Sequence, residues 1–156
     1  MLYTLLLFIL LFTSNKGNEV KEIDTLLTNW HHAAAIADAK TYFGYLAEDA
    51  IFLGTDAKER WTKKEFEKWA EPWFKKKSAW NIYATKRNIY LSYDETYAWF
   101  DEVLVAGFGP ARGSGILIKT KLGWKIKHYN LAMTIPNEIV KDVKPLVEKK
   151  LKMEMK

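Results

Sequence analysis

Residues 96–134 read TYAWFDEVLVAGFGPARGSGILIKTKLGWKIKHYNLAMT, and this stretch decides the fold. Apolar and polar residues alternate through it with a period near two, the pleat of a half-buried strand rather than the turn of a helix. A polar break at 92–95 and glycine-bearing breaks at 107–113 and 122–123 cut the region into four segments. The spacing predicts strands over 80–91, 96–106, 112–120 and 124–134, joined as an antiparallel meander that Pro136 ends. The glycines from Gly107 to Gly115 lack the lysine and helix start of a phosphate loop and read as a wide hairpin turn.

Upstream the period changes. Val20, Ile23, Leu26, Leu27, Trp30, Ala34 and Ala37 fall on one stripe of a helix that begins near Glu19. Asp38 starts a second, short helical stretch carrying Tyr42, Phe43, Tyr45 and Leu46, and residues 50–53 read as a short strand. Thr62 followed by Glu65 is a capping-box pattern, which predicts a third helix over 63–76, bent or shortened by Pro72. Asp56, Glu59 and Arg60 form a charged loop ahead of Trp61. Residues 137–156, rich in Lys and Glu, read as a charged surface helix or tail. Helices followed by long strands describe an α+β domain over 19–136, with helices packed on one face of a strongly curved antiparallel sheet.

The N-terminus carries a different signal. Leu2 to Phe12 is almost uninterrupted apolar sequence, followed by a polar run to Asn18. Residues 1–18 therefore read as a signal peptide, or as an N-terminal membrane segment if uncleaved, and place the protein outside the cytoplasm, periplasmic or secreted. The apolar core falls short of the roughly 20 residues that span a bilayer as a helix.

Composition removes whole classes of function. With no cysteine among 156 residues, disulfides, thiolate catalysis, iron–sulfur clusters and cysteine-ligated zinc are excluded. Three histidines without close spacing give no metal site, and nothing calls for a cofactor. The net charge of +5 is spread among interleaved carboxylates rather than gathered into a patch, so nucleic acid is not an expected partner. Seven Trp, eight Tyr and eight Phe make up an unusual aromatic share, and some of those rings are expected to line a cavity.

Lysines serve as markers of the wet face of each strand. Lys125 and Lys127 pointing outward turn Trp124, Ile126, His128 and Asn130 inward; Lys119 outward turns Arg112, Ser114, Ile116 and Ile118 inward. On the strand from Thr96, Trp99 and Asp101 are assigned to the inner face. Asp101, Arg112, Ser114, His128 and Asn130 would then converge among aromatic rings, where unpaired polar groups cost several kcal/mol each. Asp101 is the candidate base, its carboxyl raised by desolvation, or alternatively the partner of Arg112 in a salt bridge; His128 is the candidate proton relay. His31, Tyr42, Trp61, Trp99, Arg112, Ser114 and Asn130 are the candidate ligand contacts.

The order of elements, with Trp30-His31, Phe52-Leu53-Gly54-Thr55-Asp56, Glu59-Arg60-Trp61, Ala98-Trp99-Phe100-Asp101-Glu102, Arg112-Gly113-Ser114-Gly115 and His128-Tyr129-Asn130-Leu131, resembles the SnoaL-like branch of the nuclear transport factor 2-like superfamily. The resemblance covers about residues 19–136. It implies a cone of helices closed against a bent sheet and, commonly, a homodimer. Members include isomerases, cyclases, dehydratases and hydrolases of small molecules beside noncatalytic domains, so the fold carries activity only by analogy. The base and acidic donors of the steroid isomerase members have no residue-by-residue counterpart here.

Two functions follow as expectations. One is an exported pocket protein that binds a small, partly apolar organic molecule, with acid/base chemistry by Asp101 and His128. The other is a noncatalytic module that dimerises through the exposed sheet face using Phe100, Leu104, Leu131 and Met133.

Overall fold

A computed structural model describes the backbone of residues 3–154 and the side chains of residues 16–154. The side chains of the expected export segment, up to residue 15, lie outside the described residues. Helix α1 is Tyr3–Ala35, and it runs unbroken through position 19, where the sequence suggested a start. Among the described residues no helix is long and apolar enough to cross a membrane.

Ile23, Leu27, Trp30 and Ala34, the stripe read from the sequence, are wholly or almost wholly buried. The turn after α1 leads to α2, Ala39–Gly44, whose free amide at Thr41 is capped by the Asp38 carboxylate at 3.0 Å. Helix α3 is Lys63–Phe74. Both halves of its capping box form, with the Glu65 carboxylate accepting from the Thr62 amide at 2.8 Å, and Pro72 sits within the helix without ending it.

The sheet has six strands, β1 Leu46–Leu53, β2 Arg60–Thr62, β3 Ile82–Leu91, β4 Tyr97–Ala106, β5 Gly109–Thr120 and β6 Gly123–Met133. Their spatial order is β2-β1-β6-β5-β4-β3. The four-strand meander is present as expected. The first strand, however, is eight residues long and runs parallel to β6, so the sheet is mixed rather than wholly antiparallel. The charged loop before Trp61 closes as the short strand β2 against β1. The wide turn expected at Gly107–Gly115 is instead a tight hairpin: Ala106 pairs with Gly109, whose φ of +121° a side chain would strain. A 3₁₀ turn at Asn137–Ile139 leads into α4, Val140–Glu154, which buries none of its residues. Helices α1 to α3 cover one face of the sheet; the other face is open.

The phase of three strands corrects the face assignment. On β4 the buried residues are Ala98, Phe100, Glu102 and Leu104, while Trp99, at 48% exposure, and Val103 are on the open face with Asp101. On β5 Ala111, Gly113, Gly115 and Leu117 face the helices, and Arg112, Ser114 and Ile116 face out. Lys119 was the misleading marker. It sits on the covered face, where it bonds Glu19 of α1 at 2.7 Å with its ammonium 5.7 Å from the centre of the Trp124 ring. A lysine at the end of a strand can lay its stem along apolar surface and still charge-pair, so it does not report the wet side there.

On β6 the reading is right up to Ile126 and inverted beyond it. Leu117 pairs with Ile126 and Ile116 with His128, so Lys127 is an extra residue on β6, a bulge that flips every later side chain. Trp124 and Ile126 face the helices as expected; Tyr129 and Leu131 do so in place of His128 and Asn130.

Candidate functional site

The centre of the covered face is Glu102, with no surface exposed. One carboxylate oxygen, Oε1, accepts from the Tyr129 hydroxyl at 2.9 Å and lies 2.8 Å from His31 Nε2; Oε2 accepts from Arg87 Nε at 2.8 Å. Burial by itself would raise the Glu102 carboxyl, but the bond and charge of His31 together with the Arg87 guanidinium outweigh it and hold the group below its ordinary range. An ionised carboxylate accepts only, so His31 Nε2 carries a proton and donates to Glu102, whether the ring is neutral or charged. Tyr129 is pushed well above the usual tyrosine range by burial and by the adjacent Glu102 charge, so it remains a neutral donor.

The backbone opposite Glu102 explains two glycines. A Cβ on Gly113 would collide with the Tyr129 hydroxyl and with Glu102, and one on Gly115 would collide with the His128 carbonyl and the Phe100 ring. Both strand positions are bare so that the network and the ring beside it can fit. The network also reaches the surface: Arg87 Nη1 donates to Asp24 Oδ1 at 2.6 Å and to Thr28 Oγ1 at 3.1 Å, tying β3 to α1.

A cavity of about 210 Å³ opens beside this cluster, between the sheet and α2–α3. Its volume falls below the roughly 300–1,000 Å³ of drug-sized sites, so it suits a small molecule. Near-parallel rings wall one side: Phe52 and Phe66 stack at 4.0 Å, Trp61 and Phe66 at 5.5 Å, Trp61 and Trp69 at 4.8 Å. Trp30, Tyr42, Tyr129 and His31 close the inner end, and Gly54, Thr55 and Glu59 form the rim. The Tyr42 hydroxyl and His31 Nδ1 make no hydrogen bond among the described residues, and neither is among the side-chain atoms fully shut from water without a partner; Trp30 Nε1 alone is. Both side chains line the cavity, Tyr42 at 1% and His31 at 6% exposure. Burial pushes Tyr42 well above the usual tyrosine range, which keeps it a donor. Its ring stacks on Trp30 at 5.0 Å. A second groove of about 420 Å³, larger than the first, runs between α1 and β3 and shares His31 and Ile82 with it.

The structure therefore brings together three of the residues singled out in the sequence, His31, Tyr42 and Trp61, at this cavity. It does not bring the others there. Asp101 accepts from the Asn88 amide at 3.0 Å on the open face and is paired across the ladder with Ser114, so the Arg112 salt bridge does not form; Arg112 lies opposite Val103. Trp99 stacks on Tyr90 at 5.7 Å, and His128 and Asn130 share that open face. Residues that sequence reasoning passed over are Glu102, Arg87, Tyr129 and Trp30. The signal for the first was available in the two glycines on the neighbouring strand. Among the described residues no cluster of three or more potential metal ligands occurs.

This arrangement, helices closing an aromatic cavity against a bent sheet, is a known one. The SnoaL-like domain family matches residues 23–136, and the chain belongs to that family. Among solved structures, it is similar to a candidate scytalone dehydratase from Novosphingobium aromaticivorans, with a TM-score of 0.69 and 15% identity over 79% of this chain and 89% of that one. A candidate dehydratase of the NTF2-like family from Streptomyces avermitilis gives 0.65 and 11% identity over 78% and 99%. A protein of unknown function from Mycobacterium tuberculosis gives 0.66 and 14% over 81% and 78%. At these identities the likeness establishes the α+β fold. A search of curated protein sequences finds no match.

Proposed function

We propose that the chain binds a small, flat, partly apolar organic molecule in the aromatic cavity and that His31 performs acid/base chemistry on it. The observation that carries this reading is the pair of residues with uncommitted polar atoms, Tyr42 with its hydroxyl and His31 with Nδ1, that line a cavity walled by near-parallel rings. Tyr42 donates to a ligand oxygen, and Nδ1 of the neutral ring takes a proton from the neighbouring carbon, whose electron pair passes to that oxygen as an enolate. Glu102 fixes the tautomer and stabilises the imidazolium that forms, as a carboxylate behind a histidine does in other acid/base sites. The similarity to candidate dehydratases supports small-molecule chemistry of this kind. In D₂O, the protein should accelerate deuterium uptake at the carbon between ring and carbonyl of 2-tetralone, and His31→Gln should abolish the acceleration; equal uptake with and without protein removes the catalytic step. Tyr42→Phe should weaken 2-tetralone binding roughly tenfold, the worth of about one hydrogen bond.

A second component is assembly through the open sheet face. The residues available there are Tyr90, Trp99, Val103 and Ile116, all exposed; Phe100, Leu104 and Leu131, expected on that surface, are buried beneath the helices, and Met133, expected there too, pairs with Ala111 and so points to the covered side at its exposed edge. We read this face as the contact of a homodimer, which sedimentation tests directly: Val103→Lys should shift a dimer to monomer. Export completes the reading, supported by the apolar run Leu2 to Phe12. Secretion of the chain by a bacterial host with loss of its first residues tests it, and full-length retention in the cytoplasm contradicts it.

A further inference from the structure

The chain is basic overall, with a net charge of +5, yet the surroundings of its cavity are the reverse. Among the described residues no Lys or Arg lines it, and the carboxylate on its wall is Glu59 at the rim. Behind His31 and Tyr129 stand Glu102 and Arg87, and Asp24 sits on the outer side of that guanidinium. Asp24 and Arg87 line the neighbouring groove rather than this cavity, which leaves the Glu59 carboxylate beside ring faces, where charge is screened less than in water.

Glu59 is held in place. Its Oε2 accepts from the Asp56 amide at 3.1 Å, and its own amide donates to the Asp56 carbonyl at 2.9 Å. Its side chain lies over Gly54, where a Cβ would strike it. Oε1 takes no hydrogen bond and Glu59 forms no ion pair among the described residues, although Arg60 follows it directly on the exposed side of β2. A carboxylate needed only to brace the turn would do so with one oxygen. The second oxygen is uncommitted, and Glu59 lines the same cavity as Trp61 and Trp69, whose faces carry the negative end of the ring quadrupole.

We propose that the cavity selects a cationic ligand, an amine or quaternary ammonium on a flat ring system, with Glu59 Oε1 as its counter-charge and the Trp61–Trp69 stack as its cation–π wall. This rests on the cavity being the ligand site, and the two claims separate in one titration. Three probes of similar shape and different charge are N-methylquinolinium, neutral 2-methylquinoline at pH 8, and 1-naphthoate. Calorimetry on the full chain should give N-methylquinolinium at least tenfold tighter binding than 2-methylquinoline, with 1-naphthoate weakest. Glu59→Gln retains an oxygen for the Asp56 amide, so the turn survives; it should remove most of the tenfold preference and leave 2-methylquinoline unchanged. Trp69→Leu, at a partly exposed rim position, should weaken the cation more than the neutral probe. Equal binding of cation and neutral probe, or a preference that survives Glu59→Gln, overturns the inference and leaves the cavity standing. Binding of none of the three, with unmoved Tyr42 and Phe66 resonances, overturns both.

Discussion

On the covered face of β4, Glu102 is shut from water and meets His31, Tyr129 and Arg87; one residue earlier, on the open face, Asp101 accepts a single amide bond from Asn88 beside solvent. Both are carboxylates on the same strand, and pleating alone separates their physics. A carboxylate among three donors in a dry interior makes the fold depend on it and orients a histidine toward a cavity. A carboxylate on an open ladder contributes what a surface hydrogen bond contributes. The difference teaches that in this fold the phase of a strand, more than the residue type, assigns a role.

The most forceful way to break the comparison is to remove each acid in turn. Glu102→Ala takes the common acceptor from three buried donors, His31, Tyr129 and Arg87 Nε, while Asp24 still pairs Arg87 Nη1, and should cost about 3 kcal/mol in urea unfolding, whereas Asp101→Ala should stay within about 0.5 kcal/mol. Similar costs for the two would mean that the faces are not distinct. Gly115→Ala sets a methyl group against the His128 carbonyl and the Phe100 ring. Because backbone cannot rotate away as a side chain can, the loss should lie near 3 kcal/mol, the upper part of the overpacking range; Ser114→Ala on the opposite face should be close to silent.

Acid titration sharpens the same contrast. The folded Glu102 carboxyl lies below its ordinary 4.5 because His31 and Arg87 outweigh burial. Its contribution is therefore complete above that value and is lost as pH falls through the lower folded one. Glu102→Gln should flatten the acid limb of the stability curve, and Asp101→Asn should leave it as it is. The smallest effect concerns the end of the sheet. Lys119→Met leaves Glu19, 8% exposed, with only the Trp124 indole at 2.7 Å, and should cost about 1 kcal/mol after allowance for the half-exposed ammonium.

Much of the fold was legible because periodicity is a physical property of the sequence. The α1 stripe, the Thr62–Glu65 cap and the four-strand meander each follow from spacing that only one backbone satisfies. Strand β1 was short in the reading because its early part, Leu46 and Ala47, looks like a helix end until the parallel partner β6 is known. The site was harder to read. His31, Tyr42 and Trp61 lie on elements whose burial the helical period reveals. The strand residues depend on absolute phase, and there two local features misled: Lys119, charge-paired on the covered side, and the bulge at Lys127, which no alternation pattern encodes. Gly113 and Gly115 were the available correction, since side-chain-free positions two apart on one strand mark where a neighbour needs the room.

The central claim is that ligand chemistry belongs to the covered face, and nuclear Overhauser contacts to a bound probe test it most directly. With N-methylquinolinium bound, the account predicts contacts from its ring protons to Tyr42, Phe66 and Trp61, and none to Trp99 or His128. Contacts to Trp99 and His128 with silence from Tyr42 and Phe66 would contradict it.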